Sequence, residues 1–325
     1  MTSPSRRHFL ARSLGLATAA LAAPALLPRS ARAATATRLV VPLAPGGAMD
    51  LLGRYLGEVL APVWQTQLVV ENRPGAGGNI AYGHVAGAEP DGATLLLSGS
   101  ALVANMTLMP GTGAYDPIQS FAPIGLVATS PLVIVVRGES PLRTLGELAA
   151  QAQGAGVTVG TPGFGNEPHL ALLKIRQARG GEWRSIPYKG AGPATVAAMG
   201  GETDAAIVAL PGVLSHLKSG KLRALAVVQA RRSAVAPEIP SLVEAGTEIP
   251  FSPSWFGLLA PANTPEAVLA RLSGGLQEVA ARPEFQARLT GFGFELTDSS
   301  PAAFSRQLRS DVETMPGFLK ALEHA

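Results

Sequence analysis

"PIGLVATSPLVIVV", residues 123–136, is a long apolar, β-branched run interrupted by Pro131. "SWFGLLAP", residues 254–261, is a second extended run. Read as two crossing strands, they divide the chain into an N-terminal part, a middle part and a C-terminal part that returns to the first. The expected boundaries are 34–132 and 252–325 for one lobe and 133–251 for the other. Two α/β lobes joined by two crossover strands, with a ligand cleft between them, fit this length. Hinged closure around a ligand is the natural motion of such a design.

Outward from these runs, short strand patterns alternate with helical ones. Strands are predicted at 38–43, 67–71, 93–99, 132–136, 157–161, 205–209 and 222–228. Helices are predicted at 50–63, 144–152, 167–179, 191–200, 265–281 and 302–323, with a shorter one ending near Ala88. In the helix after the first strand, Leu51, Leu52, Tyr55, Leu56, Val59 and Leu60 recur at helical spacing. Strands separated by helices at this period predict parallel sheets with covered faces.

Residues 1–33 read as an export signal of the twin-arginine type. Arg6 and Arg7 precede an apolar run at 14–27, and Ala31, Arg32 and Ala33 form a small-x-small site, so cleavage is expected near Ala33 and Ala34. The apolar run is too short for the ~20 residues that cross a bilayer. Removing the five arginines of residues 1–33 from 26 basic residues leaves 21 against 23 acids, and the precursor's net charge of +3 becomes −2. A nucleic-acid partner is therefore not expected. Cysteine is absent, which excludes a disulfide framework, a thiol nucleophile and Cys-ligated metal. The expected product is a periplasmic protein with no cofactor.

Candidate chemistry lies in loops at strand ends. "VVPLAPGGAMD" (40–50) ends a strand in a glycine pair, with Asp50 placed as an N-cap or first-turn acid. "SGS" (98–100) ends the third strand, and "TPGFGNEPHL" (161–170) ends a strand of the middle part and opens a helix. Such loops offer backbone N–H groups to an anion. The nucleotide motifs fail: "GAGGNI" (75–80) lacks the last glycine of a dinucleotide fingerprint, and "HLKSGKL" (216–222) is no P-loop. Neither a Gly-x-Ser-x-Gly elbow nor a His-Glu-x-x-His pair occurs, and His84, His169, His216 and His324 lack metal-ligand spacing. His169 stands between two roles, donating to a bound oxygen or tying down its loop.

The chain resembles the Bug-type solute receptors of tripartite tricarboxylate transporters. The likeness is carried by "VVPLAPGGAMD", "VVENRPGAGGNIA" (69–81), "PDGATLLL" (90–97) and "YDPIQSFAPIGLVAT" (115–129). It continues through "GNEPHLA" (165–171), "IPYKGAGPA" (186–194), "SGKLRALAV" (219–227), "PSLVEAG" (240–246) and "WFGLLAPANTP" (255–265). The resemblance implies a type II periplasmic binding fold and no catalysis. It points to Ala44, Pro45, Gly46, Gly47 and Asp50, and to Ser98, Gly99, Ser100 and Asn105, as residues around a ligand carboxylate. From the other lobe it adds Thr161, Gly163, Gly165, Asn166 and His169. Where similar proteins often read Asp-Asn before Leu-Pro, this chain has Val208 and Ala209. The acid that meets a ligand amine is missing there, which favours a carboxylate without an amine.

The function expected is capture of a small organic carboxylate by a monomer and its delivery to a membrane permease of the tripartite type. Two alternatives share the scaffold: an enzyme using Asp50 or His169 as acid or base, and a receptor that reports its ligand to a sensor kinase.

Overall fold

A computed structural model describes residues 36–109, 111–249 and 253–323. The export signal expected over 1–33 lies outside the described residues. The first lobe opens with β1 (Thr37–Val41), α1 (Ala48–Trp64), β2 (Leu68–Asn72), α2 (Asn79–Ala86), β3 (Thr94–Ser98), α3 (Ala101–Leu108) and β4 (Phe121–Ser130). One residue, Pro131, separates β4 from β5 (Leu132–Arg137). The second lobe continues with α4 (Leu145–Gln153), β6 (Val157–Thr161), α5 (Glu167–Arg179), β7 (Trp183–Pro187), α6 (Ala191–Gly200), β8 (Ala205–Ala209), α7 (Leu214–Lys218) and β9 (Leu222–Val227). The chain then returns through β10 (Ser254–Pro261) to α8 (Glu266–Ala280), α9 (Pro283–Phe292) and α10 (Pro301–Glu323).

These strands form two five-stranded sheets of like design. The first runs β2-β1-β3-β10-β4 and the second β7-β6-β8-β5-β9. In each, three strands are parallel, and the crossing strand enters antiparallel as the fourth. β10 also pairs antiparallel with β4, and β5 with β9. The sheets are thus mixed, which corrects the expectation of parallel sheets. Strand–helix alternation forces parallel pairing only where a helix carries the chain back across the sheet. No helix lies between β4 and β5, and β10 arrives from the other lobe.

Packing follows from the apolar pattern. Leu52, Leu56 and Leu60 of α1 are fully buried in one cluster with Leu39, Val41, Leu95 and Leu97 of the sheet. At ~25 cal/mol per Å2, burying three leucines stabilises the element by several kcal/mol. β3 and β8 are buried along their whole length, as central strands should be. α10 seats Phe304 against Trp255 of β10, with ring centroids 5.3 Å apart.

Candidate functional site

Strands β1, β3 and β6 each end in a turn that opens a helix, and these turns meet at one place. In the turn after β1, Gly46 has φ +91°, a conformation that only glycine adopts without strain. Gly47 is the N-cap of α1, without a side-chain bond. Asp50 is the third helical residue and not the cap. Its Oδ2 accepts the Gly46 N–H and Arg54 Nε–H, each at 3.1 Å, and its Oδ1 lies 3.0 Å from Arg54 Nη2. Burial opposes the charge on Asp50, but the bonds from Arg54, Gly46 and Asn72 outweigh it and hold the carboxyl below its usual range. Leu51 N–H donates the first helical bond of α1, to Gly47 O at 3.0 Å. The amides of Ala48, Met49 and Asp50 therefore have no acceptor within the helix.

On the facing lobe, Asn166 caps α5 by accepting the His169 N–H on Oδ1 at 3.2 Å. His169 Nδ1 accepts the Gly165 N–H at 3.2 Å, and its ring lies against Phe164 at 4.5 Å between centroids. Burial, reinforced by the charge of Arg176, lowers its pKa to about 4. The imidazole is neutral at physiological pH, with its proton on Nε2. Of its two roles, tying down the loop is the one the contacts display.

The two lobes touch glycine to glycine. Ala44 N–H donates to Lys189 O across the boundary at 2.7 Å. A Cβ placed on Gly192 would lie 2.3 Å from Pro45 O, and one on Gly47 would lie 2.9 Å from Ala191 Cβ. The conformation is the closed one. Between the lobes lies a cavity of about 60 Å3. Its wall takes Gly47, Ala48 and Met49 from the start of α1, Gly99 and Ala101 from the start of α3, Asn166, Glu167 and Pro168 from the start of α5, and Ala191 from the start of α6. Four helix N-termini, two from each lobe, thus converge. Each carries about half a positive charge. Among the described residues no Lys, Arg or His lines the cavity.

Six of the residues named from sequence reach this wall: Ala44, Gly47, Asp50, Gly99, Asn166 and Ala209. Pro45 and Gly46 are exposed, and their backbone meets Gly192 of the facing lobe rather than the cavity. Ser98 is buried beside the wall. Thr161 Oγ1 donates to Gly163 O at 3.1 Å and so braces the second loop from behind. Ser100 donates its N–H across the lobe boundary to Glu167 Oε1 at 3.3 Å. Asn105 donates Nδ2 to Gly77 O and Asn79 Oδ1, and its Oδ1 faces the other lobe, where a Cβ on Gly165 would lie 2.8 Å from it. Gly163 and Gly165 shape their loop through φ values of +156° and +77°. Val208 faces the opposite way from Ala209 and packs in the core with Val133 and Val135. It offers the cavity no surface, and this corrects its expected place in the site.

Sequence reasoning missed Tyr82, Glu167, Ala191, Trp255 and Phe256, which also line the wall. Glu167 adjoins Asn166, and Ala191 lies in "IPYKGAGPA", a segment that carries the family likeness but was assigned no site residue. Trp255 and Phe256 belong to the returning crossover, where a strand pattern gives no sign of a binding surface. Asp50 is committed to Arg54 and Gly46, and His169 stands off the wall. Asp50 thus meets the cavity as an ion-paired carboxylate whose buried Oδ1 has no hydrogen-bond donor among the described residues, and His169 does not meet it at all.

The sequence matches the family described as tripartite tricarboxylate transporter family receptor over residues 53–322. It is 35% identical over 267 residues to protein BugT of Bordetella pertussis, a stretch that is 81% of each chain. Among solved structures, the periplasmic binding protein BugD is similar with a TM-score of 0.84 at 32% identity, over 88% of this chain and 97% of that one. R. palustris Rpa4515 with adipate is similar with a TM-score of 0.85 at 27% identity, over 89% and 97%. The two mixed sheets and their crossing strands are thus a type II-like periplasmic binding fold. With that architecture and a match reaching from α1 to α10, the chain belongs to the Bug-type receptors of the tripartite tricarboxylate transporter family.

Proposed function

We propose that this protein captures a small organic carboxylate in the cavity between its lobes and delivers it to a membrane permease. The carrying observation is the convergence of four helix N-termini on a cavity without basic side chains. Unpaired first-turn amides and helix dipoles bind an anion there without a counter-charge from Lys or Arg. The adipate seen in a structural relative supports the same ligand class. Selective binding of the closed state drives closure.

The ligand carries no amine. The strand end where an acid would meet one supplies only Ala209 to the wall, Asp50 is already paired, and burial pushes Glu167, the other acid on the wall, toward its neutral form. An ammonium left without a partner in a closed cleft costs several kcal/mol. A thermal-shift panel that pairs aspartate with succinate and glutamate with glutarate tests this. The deaminated acids are expected to stabilise the protein more, and the reverse order would remove the reading. Capture of this kind belongs in the periplasm, reached through the signal at 1–33. Replacing Arg6 and Arg7 with Lys is expected to strand precursor in the cytoplasm; undiminished export of that variant would exclude the twin-arginine route.

A further inference from the structure

Two carboxyl groups, Asp50 and Glu167, line a cavity offered to an anion. Asp50 is neutralised by Arg54. Glu167 is different: among the described residues it forms no ion pair, and its bond across the lobes comes from the Ser100 N–H at 3.3 Å. It is also the partition between two spaces. Its partly buried side chain lines the ligand cavity and a larger one of about 290 Å3, which holds Lys174 and Asp311. An ionised Glu167 would face the ligand's carboxylate across a small, largely apolar space, where like charges repel strongly.

We propose that Glu167 enters the closed complex protonated and donates that proton in a hydrogen bond to the ligand's carboxylate, so that capture takes up one proton from solvent. The inference rests on the carboxylate reading above. The groups around Glu167 fit it. On α10, Asp311 accepts Trp255 Nε1–H at 2.8 Å on Oδ2 and Gln307 Nε2–H at 2.8 Å on Oδ1; burial raises its own pKa against these bonds, and its charge, where present, disfavours a second one on Glu167. On its own helix Lys174 lies two turns further on, in the outer cavity, and His169 is engaged with Gly165. From α1 comes Asp50, paired with Arg54; from α2 comes Tyr82; from the start of α3 come the N–H and the hydroxyl of Ser100. Burial raises the Glu167 pKa, the Asp311 charge adds to this, and the bonds to its own N–H and to Ser100 oppose it. In the open form its carboxyl meets water and returns toward the usual range. Between those two conditions, affinity for a fully ionised acid falls about tenfold for each pH unit gained.

The test is titration calorimetry of the intact mature protein with succinate, glutarate and adipate, from about pH 6.5 to about pH 8.5, where these acids are fully ionised in solution. Buffers of different ionisation heat count the protons. The expected result is uptake close to one proton per acid bound, with affinity falling as pH rises. Glu167→Gln keeps a donor at the same place. It is expected to bind with affinity within about tenfold of wild type at low pH, with a flat pH profile and no proton uptake. Wild-type binding without proton uptake overturns the proposal. So does a folded E167Q that binds none of the acids, because Glu167 would then act as an ionised acceptor. If E167Q fails to fold, the wild-type proton count decides alone. Failure of every acid to bind wild type at any pH removes the carboxylate reading and this inference with it, whereas binding without a proton removes only the role of Glu167.

Discussion

At the scale of single residues, the bond from Gly165 N–H to His169 Nδ1 ties acid stability to one imidazole. In the unfolded chain histidine titrates near its ordinary 6.5, and in the fold His169 titrates at about 4. Between those values the unfolded chain holds the extra proton, so stability falls as pH drops through the window, by on the order of 3 kcal/mol in all. His169→Gln is expected to be less stable than wild type at neutral pH, with the gap narrowing toward pH 4.5. Urea titrations at the two pH values measure it. A parallel loss in both proteins would show that another group sets the acid limit. Asp50 shows what sequence can and cannot say at this scale. A first-turn acid after a glycine pair is legible; that its carboxylate reaches back to Gly46 is not, because the turn geometry is fixed by contacts with the other lobe.

At the scale of elements, the glycine in "SWFGLLAP" is a packing device. A Cβ on Gly257 would lie 2.3 to 2.7 Å from three ring atoms of Phe304, so the bare backbone of β10 is the seat on which α10 rests. Gly257→Ala is expected to displace Phe304 and destabilise the first lobe by about 1–3 kcal/mol, as overpacking does. Hydrogen exchange localised to α10 and β10 would check it; unchanged protection there would mean the ring moves aside freely. Most strands were legible because their residues are β-branched and their ends carry glycine or proline. The short helix α3 was not. Ala101, Leu102, Val103, Ala104 and Asn105 are buried in succession, and a helix buried all round has no amphipathic period to read. The helix predicted at 265–281 was found, but α9 was missed, since Pro283 begins a second helix where the first had been expected to end the pattern. The lining residues of β10 and α6 were missed for a related reason: they become neighbours of the first loop only in the folded, closed molecule.

At the scale of the whole molecule, closure depends on backbone meeting backbone. Pro45 O lies where the side chain of residue 192 would be. Gly192→Val is therefore expected to leave the unliganded protein folded and open while preventing the lobes from meeting. Wild type held at about 100 times the dissociation constant of its best acid should gain ~2.7 kcal/mol, and the variant nearly none. Small-angle scattering should show a ligand-dependent contraction for wild type alone. A variant that contracts and binds normally would show that the loops yield without cost.

The exchange of crossing strands also has a consequence for how the molecule is made. The second sheet, β5 to β9, is contiguous in sequence, whereas the first needs β10, drawn from near the end of the chain, to join β3 to β4. During synthesis from the N-terminus, β1 to β4 emerge first and wait. The edge of β3, buried in the finished protein, stays unpaired until the second lobe has been produced. The first part of the protein to be translated is the last that is able to fold, and the interval between the two is when a chaperone would be needed.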